Sequence, residues 1–134
     1  MPLMKPNKRI FKVYGVIVDN KKILMVKAPN GVTMLPGTDV SGDDTTEQAL
    51  QKYMRAKLGI DFSRTLKIGQ YEQDVFEDTV MSTYLLLINE YSGKITPKVE
   101  IVWADKKMLE SGKLKTPMIF NNQILPDLFR KNII

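Results

Sequence analysis

The chain has 134 residues and a formal net charge of +5, and it contains neither cysteine nor histidine. Its 43% apolar and 26% charged residues are typical of a globular protein and argue against disorder. The lack of cysteine excludes disulfides and thiolate chemistry, and the lack of histidine removes the commonest general base and transition-metal ligand. Any metal would be a hard ion such as Mg²⁺, bound through oxygen. The length suits one domain, which we expect to span residues 1–134.

The positive charge favours anionic partners, but it is too small to indicate a nucleic-acid-binding protein. The longest apolar run is the short segment 84–88, and no long apolar stretch follows the basic N-terminal residues Lys5, Lys8, Arg9 and Lys12. The sequence therefore predicts neither a signal peptide nor a transmembrane helix. We expect a cytoplasmic protein without a membrane partner.

The first predicted element is a β-hairpin. Residues 10–19 are rich in β-branched and aromatic side chains and predict a strand, residues 20–22 predict a polar turn, and residues 23–28 predict the returning strand. Further along, Pro36 and Gly37 predict a tight turn, because proline cannot donate to a strand ladder and glycine tolerates unusual backbone angles.

A helix is predicted next, after an acidic loop at residues 39–44. Thr45 and Gln48 have the spacing of a capping box, in which each side chain bonds the backbone of the other residue. The helix is expected to end near Leu58, with Gly59 as its C-terminal cap.

Strands and two helices are predicted for the remainder of the chain. They are strands at 66–74, 75–91 and 98–103, a short helix at 105–111, and a closing helix at 117–131 bent or broken by Pro126. This order of elements predicts a single domain of the α+β class, or an α/β/α sandwich.

The segment 35–60, LPGTDVSGDDTTEQALQKYMRAKLGI, joins a glycine turn, an acidic loop and an amphipathic helix closed by glycine. With this segment the chain resembles the Nudix hydrolase family over nearly its whole length. VYGVIVDNKKILMVKAPNG resembles the family's first hairpin, LPGTDVSGDD its glycine loop and EQALQKYMRAKLGI its catalytic helix, and Trp103 with the following helices resembles its ending. The resemblance implies a Nudix-type α/β/α sandwich with a mixed central sheet.

The family's box of motif residues can be placed on this chain by anchoring its final glycine on Gly59. Thr38 then stands where the box begins with glycine, although Gly37 comes directly before it. Asp44 stands at the position of the first glutamate, and Lys52 stands at the position of an arginine and keeps its charge.

The three helix glutamates of the box are replaced by Tyr53, Ala56 and Lys57. Acids at these positions would share one helix face and could hold a divalent ion that neutralises a diphosphate and activates water. Lys57 would repel Mg²⁺, and the first-turn acid Glu47 lies roughly 15 Å away along the helix. The resemblance therefore implies a degenerate box with no catalytic residue, no resident metal and no cofactor, and only Asp44 as a remnant candidate ligand.

Lys57 has three interpretations, because a helical wheel places it between Tyr53 and Met54, inside the apolar stripe. It could extend outward from the last helical turn, where a positive charge suits the helix C-terminus. It could instead occupy the space of the family's metal and present a fixed cation to a phosphate. It could also pair with an acid, namely Glu72, Glu77 or Glu100.

We expect a Nudix-fold binder or regulator that recognises a nucleotide or another phosphorylated small molecule without hydrolysing it. Its predicted ligand-binding residues are Lys27, Gly37, Thr38, Lys52, Tyr53 and Lys57.

Two alternatives stay open. One is a hydrolase of a nucleoside diphosphate derivative that binds Mg²⁺ through Asp44 and acids from Glu72, Asp74, Glu77 and Asp78. The other is a protein-interaction module or homodimer, for which the apolar segment 84–88 would be the interface if it proves exposed.

Overall fold

The computed structural model describes residues 8–134, so Lys5 and the start of the expected domain lie outside the described residues. The strands are β1 (Lys8–Val16), β2 (Val18–Asp19), β3 (Lys22–Lys27), β4 (Thr33–Met34), β5 (Gly37–Val40), β6 (Asp61–Phe76), β7 (Thr79–Ser92) and β8 (Glu100–Asp105). The helices are α1 (Thr46–Leu58), α2 (Lys106–Glu110) and α3 (Leu125–Arg130), the last preceded by a π-helical turn at Phe120–Ile124.

The strands form two sheets. The first has the order β5-β1-β7-β6, and it is mixed because β1 and β7 are parallel whereas β5 and β6 are antiparallel to their neighbours. In the second sheet β8 pairs with the whole length of β3 on one side, and β2 and β4 pair with the two ends of β3 on the other side, always antiparallel.

The predicted first hairpin is only partly correct. The turn forms as expected, with Asn20 and Lys21 at φ 52° and 61°. The prediction of one continuous strand over residues 10–19 is wrong, because the chain leaves the first sheet after Val16 and only the short β2 pairs with β3. Pairing between distant parts of the chain decides this division, since β1 takes β7 as its parallel neighbour.

The core consists of two clusters on opposite faces of the sheets. One packs α1, through residues such as Leu50, against strand residues that include Val13. The other packs α2, the π-helical turn and α3, through residues such as Leu128, against strand residues that include Tyr14. Val13 and Tyr14 are consecutive strand residues and therefore point to opposite faces. The predicted fold class, an α/β/α sandwich with a mixed sheet, is confirmed.

Three further boundaries differ from the sequence prediction. Gly37 begins β5 instead of forming a turn, so residues 39–40 belong to a strand and not to the acidic loop. The strand predicted at 66–74 begins earlier, at Asp61, and its turn with β7 lies at residues 77–78.

Two expectations for the second half of the chain concern its closing helix and segment 84–88. The closing helix is irregular, because a π-helical turn directly precedes Pro126, which lies in the first turn of α3. Segment 84–88 is mostly buried, with Leu85 and Leu86 0% and 2% exposed, so the exposure on which an interface there depended is absent. None of the helices within residues 8–134 has the length and apolar content that crossing a bilayer requires.

Candidate functional site

A cleft of about 310 Å³ lies between β5, the loop that follows it and helix α1. Its walls are polar on the loop side and mixed on the helix side. The lining residues are Thr38, Asp39, Ser41, Asp44, Ala49, Lys52, Tyr53, Ala56 and Lys57.

Local sequence explains why α1 is fixed beside this cleft. Thr45 Oγ1 accepts a hydrogen bond from the Gln48 N–H at 3.1 Å, and Gln48 Oε1 accepts one from the Thr45 N–H at 2.9 Å. Gly59 closes the helix in the left-handed conformation, with φ 72°. The predicted capping box and C-cap are therefore confirmed, and such caps contribute about 1 kcal/mol.

Buried side chains hold the helix on the sheet. Leu50, Met54 and Leu58 are all 0% exposed. Full burial of side chains of this size stabilises the fold by about 1.5–3 kcal/mol each. The orientation of the helix is thus set by its core face, and that orientation determines which residues reach the cleft.

Four of the six predicted ligand-binding residues line this cleft, namely Thr38, Lys52, Tyr53 and Lys57, and Asp44 joins them. Lys57 is exposed, because the part of the apolar stripe where it falls faces the cleft and not the core. Its place inside the apolar stripe therefore does not mean that it faces the core, and its exposure agrees with a side chain that extends outward from the last helical turn.

The other two predicted residues lie outside the cleft lining. Lys27 Nζ is 3.5 Å from a carboxylate oxygen of Glu100 on the neighbouring strand of the second sheet. A side chain at Gly37 would place its Cβ 2.2 Å from the Val13 carbonyl oxygen. Glycine is therefore required at position 37 because β1 and β5 approach closely there, whatever binds nearby.

Asp44 and Lys52 form an ion pair across the first half of α1. Lys52 Nζ lies 3.0 and 2.9 Å from the two carboxylate oxygens of Asp44. The side chain of Asp44 is 26% exposed and that of Lys52 is 70% exposed. The charge of Asp44 is thus neutralised within the protein, and most of the donor capacity of Lys52 is directed at it.

Tyr53 and Lys57 give the helix side of the cleft its chemistry. Burial raises the pKa of the Tyr53 phenol, so this group is neutral at pH 7 and can donate a hydrogen bond. The Lys57 side chain has no acidic partner within residues 8–134. The Lys57 carbonyl accepts a hydrogen bond from the Lys98 N–H at 2.8 Å, which satisfies one of the last helix carbonyls.

The predicted pairing of Lys57 with an acid is not observed. Glu72 pairs with Arg9, and Glu100 pairs with Lys27. The ammonium of Lys57 is left in the cleft as a cation that no carboxylate of the described part of the chain neutralises.

Comparisons with known proteins place this geometry in a structural class. No protein-family model and no curated protein sequence matches the chain. The E. coli ORF135 protein superposes with a TM-score of 0.79 at 19% identity, covering 93% of this chain and 91% of that protein. A NUDIX hydrolase from Nitrosomonas europaea superposes with a TM-score of 0.68 at 15% identity, covering 95% and 96% of the two chains. The protein has the Nudix fold.

A third similar structure carries bound molecules. It is a bifunctional NMN adenylyltransferase/ADP-ribose pyrophosphatase from Francisella tularensis, complexed with AMP and a manganese ion. The TM-score is 0.63 at 18% identity, and the match covers 96% of this chain and 42% of that chain. At these identities the similarities establish the fold alone, so the predicted resemblance to Nudix hydrolases is confirmed as a likeness of fold.

The residues present do not fit the divalent ion that the Nudix resemblance implies. The positions of the three helix glutamates hold a neutral phenol, a methyl group and an ammonium. The cleft lining has two acids, Asp44, which is paired with Lys52, and Asp39 on β5. Within residues 8–134, no three acidic side chains come together in a metal-binding arrangement. Hard divalent ions need several anionic or carbonyl oxygens, and this donor set lacks them.

The acids considered for a rearranged metal site lie away from the cleft. Glu72 and Asp74 are on β6, and Glu77 and Asp78 form the turn that joins β6 to β7. The Asp78 carbonyl accepts a hydrogen bond from the N–H of Lys8, at the start of β1. Thr38 pairs with Val13 of β1, which is five residues after Lys8. The β6–β7 turn therefore lies roughly 16 Å along the strand from this part of the cleft.

Some features of the cleft were not found from the sequence. Ser41 and Ala49 line it because the loop folds back onto the first turns of α1. Asp44 precedes helix α1 and Lys52 lies within it, eight residues further on. Helical spacing therefore does not predict that the two side chains meet, and their pairing has no sequence signal. Thr96 N–H and Lys98 N–H donate to the Leu58 and Lys57 carbonyls and close the end of the helix.

Proposed function

We propose that the protein binds a nucleotide or another phosphorylated small molecule in the cleft between β5 and α1, and that it does not hydrolyse this ligand. The proposal rests on Lys57, an exposed ammonium that lines the cleft without an acidic partner in the described part of the chain. Lys57 stands where the Nudix box has a metal-binding glutamate. The ammonium of a side chain therefore occupies the place of a bound metal ion.

The cleft offers several groups suited to phosphate oxygens. Lys57 brings three N–H donors and a positive charge, and Tyr53 brings a neutral phenol. The hydroxyls of Thr38 and Ser41 lie on the opposite wall. Asp39 is the remaining acid of the lining, and it stands opposite Lys12 in the β1–β5 register. Lys52 and Asp44 neutralise each other, so the free charge on the helix side is positive.

The same groups argue against hydrolysis. Attack on a diphosphate needs an activated water and neutralisation of the charge that develops in the transition state. The Nudix mechanism obtains both from divalent ions, whereas this cleft presents an amine and a phenol. The chain has no histidine that could act as the base instead.

Nucleotides are the first ligands to test, because a protein of the same fold from Francisella tularensis is complexed with AMP. Thermal unfolding should be followed with AMP, ADP and ADP-ribose, each in EDTA and in Mg²⁺. A ligand at a hundred times its Kd stabilises the native state by about 2.7 kcal/mol, which for a chain of this length raises the Tm by about 10 °C. We expect this shift to be the same with and without metal.

Two variants make the assignment specific. Lys57→Met should abolish the ligand-induced shift, because it removes the free cation and keeps the aliphatic stem. Lys107→Met is the matched control, since Lys107 is likewise an exposed lysine in the last turn of its helix but lies outside the cleft. Unchanged ligand affinity in the Lys57 variant would end the proposal.

The alternatives give different patterns in the same experiment. Stabilisation that requires Mg²⁺ and is accompanied by phosphate release would indicate a hydrolase. No response to any phosphorylated compound would favour a protein-interaction module.

A further inference from the structure

The outer edge of the first sheet is an unusually long strand. β6 has 16 residues, about 50 Å, whereas strands commonly have five or six. It pairs with β7 on one side, and within residues 8–134 it has no strand on the other. Such an edge presents unpaired N–H and C=O groups that can accept another strand.

Side chains cover only particular points of this edge. Near its start, the Gln51 side-chain amide bonds both the N–H and the carbonyl of Phe62, at 3.0 and 2.9 Å. In the middle, Lys131 Nζ donates to the Ile68 carbonyl. The Lys131 ammonium would have to turn away on pairing, and its 41% exposure leaves it room to do so.

Two large apolar side chains of β6 are exposed to solvent. Leu66 is 55% exposed and Phe76 is 73% exposed. In the register with β7 they pair with Leu87 and Thr79, so both lie on the same face of the sheet. Leu66 lies five residues before Tyr71, and Phe76 lies five residues after it.

The charges of β6 are divided between its two halves. In the first half Arg64 and Lys67 outnumber the single acid Asp61, which pairs with Arg55 of α1, and Glu72 and Asp74 make the second half acidic. Register shifts occur at both ends of the strand and leave 69–74 regular. A second β6 running antiparallel would set basic halves against acidic ones, whereas a parallel one would set like charges together.

We infer that the β6 edge is the interface for a second copy of this chain, paired antiparallel about a two-fold axis near Tyr71. In this pairing Leu66 of each copy faces Phe76 of the other, and Lys67 comes beside Asp74. The interface closes on itself, because a two-fold contact uses the same patch on both subunits. The inference is independent of the cleft and of what the cleft binds.

Sedimentation velocity and light scattering over a wide concentration range test this interface on the full chain. We expect a reversible rise from the 15.3 kDa monomer to a dimer of twice that mass. Leu66→Lys and Phe76→Lys should each weaken dimerisation about tenfold, because each removes two cross-strand apolar pairs per dimer. Met118→Lys is the matched control, since Met118 is 76% exposed and lies outside the β6 edge.

Exchanging the charges of Lys67 and Asp74 tests whether these residues meet across the interface or only stabilise the single chain. Lys67→Glu and Asp74→Lys should each weaken the dimer, and the double variant should restore it, because the two-fold axis pairs the exchanged charges again. Circular dichroism confirms that each variant is folded. A monomer at all concentrations overturns the inference, as does a dimer that the apolar variants leave unchanged or a double variant no better than the single ones.

Discussion

Asp127 anchors α3 to the first sheet, and its replacement by asparagine should reveal how much its charge stabilises the protein. Its carboxylate accepts a hydrogen bond of 2.5 Å from the Tyr71 hydroxyl and pairs with Arg130 and with Lys131. The Asp127 side chain is 11% exposed, whereas Arg130 and Lys131 are 75% and 41% exposed, so solvent screens the two ion pairs more than the bond from Tyr71. The bond from Tyr71, more than any other contact, lowers the pKa of Asp127 from 3.8 to about 2.

The lowered pKa sets both the size and the pH range of the effect. At about 1.4 kcal/mol per pKa unit, the shift corresponds to about 2 kcal/mol of stabilisation at neutral pH. A depressed carboxylate pKa stabilises the native state above the unfolded-state pKa, and this contribution disappears as the pH falls through the folded-state value. It should therefore be complete above about pH 5 and nearly absent near pH 2.

Chemical denaturation of wild-type protein and Asp127→Asn from pH 7 to pH 2 measures this contribution. At pH 7 the variant should be about 2 kcal/mol less stable, equivalent to a Tm about 7 °C lower. The difference should shrink toward zero as the pH approaches 2, while effects of the other acids cancel between the two proteins. A difference that stays constant across the range would show that asparagine disturbs packing and that the carboxylate charge is not responsible.

Three further predictions concern the cleft and the start of the neighbouring strand β5. The triple variant Tyr53→Glu, Ala56→Glu and Lys57→Glu should bind Mn²⁺ more tightly than wild type, measured by calorimetry, because three carboxylates then share one helix face; an equal response from Lys57→Glu alone would contradict this reasoning. Gly37→Ala should lower the free energy of unfolding by about 1–3 kcal/mol, because its Cβ would meet the Val13 carbonyl at 2.2 Å; unchanged denaturant stability would refute it. Lys52→Met should weaken ligand binding less than Lys57→Met does, in the same thermal titration, because Lys52 is already paired with Asp44; a larger loss at Lys52 would reverse the assignment of the free cation.

Local chemistry made helix α1 predictable from the sequence. The capping box of Thr45 and Gln48 and the glycine at position 59 act over a few residues, and the structure reproduces them. The sheet was less predictable because its pairing is non-local. Nothing near Val16 in the sequence shows that β1 ends there or that its parallel partners lie 71 residues further along the chain. The polar start of β6, DFSRT, lacks the alternation typical of a strand.

The cleft residues on helix α1 could be predicted from the sequence, whereas the contacts made by the loop before the helix could not. Tyr53 and Lys57 follow from helical spacing once α1 is placed, and both reach the cleft. The pairing of Asp44 with Lys52 depends on how the loop folds back, which spacing does not reveal. Lys27 was misplaced with respect to this cleft because β3 belongs to the second sheet, where Glu100 lies beside it.

Phosphorus-31 NMR of AMP, ADP and ADP-ribose mixed with the protein tests the central claim most directly, because it reports binding and bond cleavage together. We predict that at least one of these compounds shows shifted or broadened resonances in EDTA, that the Lys57→Met variant abolishes the change, and that no phosphorus signal is converted after Mg²⁺ is added. Mg²⁺-dependent conversion of ADP or ADP-ribose to new phosphate species, or resonances that the protein never perturbs, would contradict a cleft in which a lysine has taken the place of the metal.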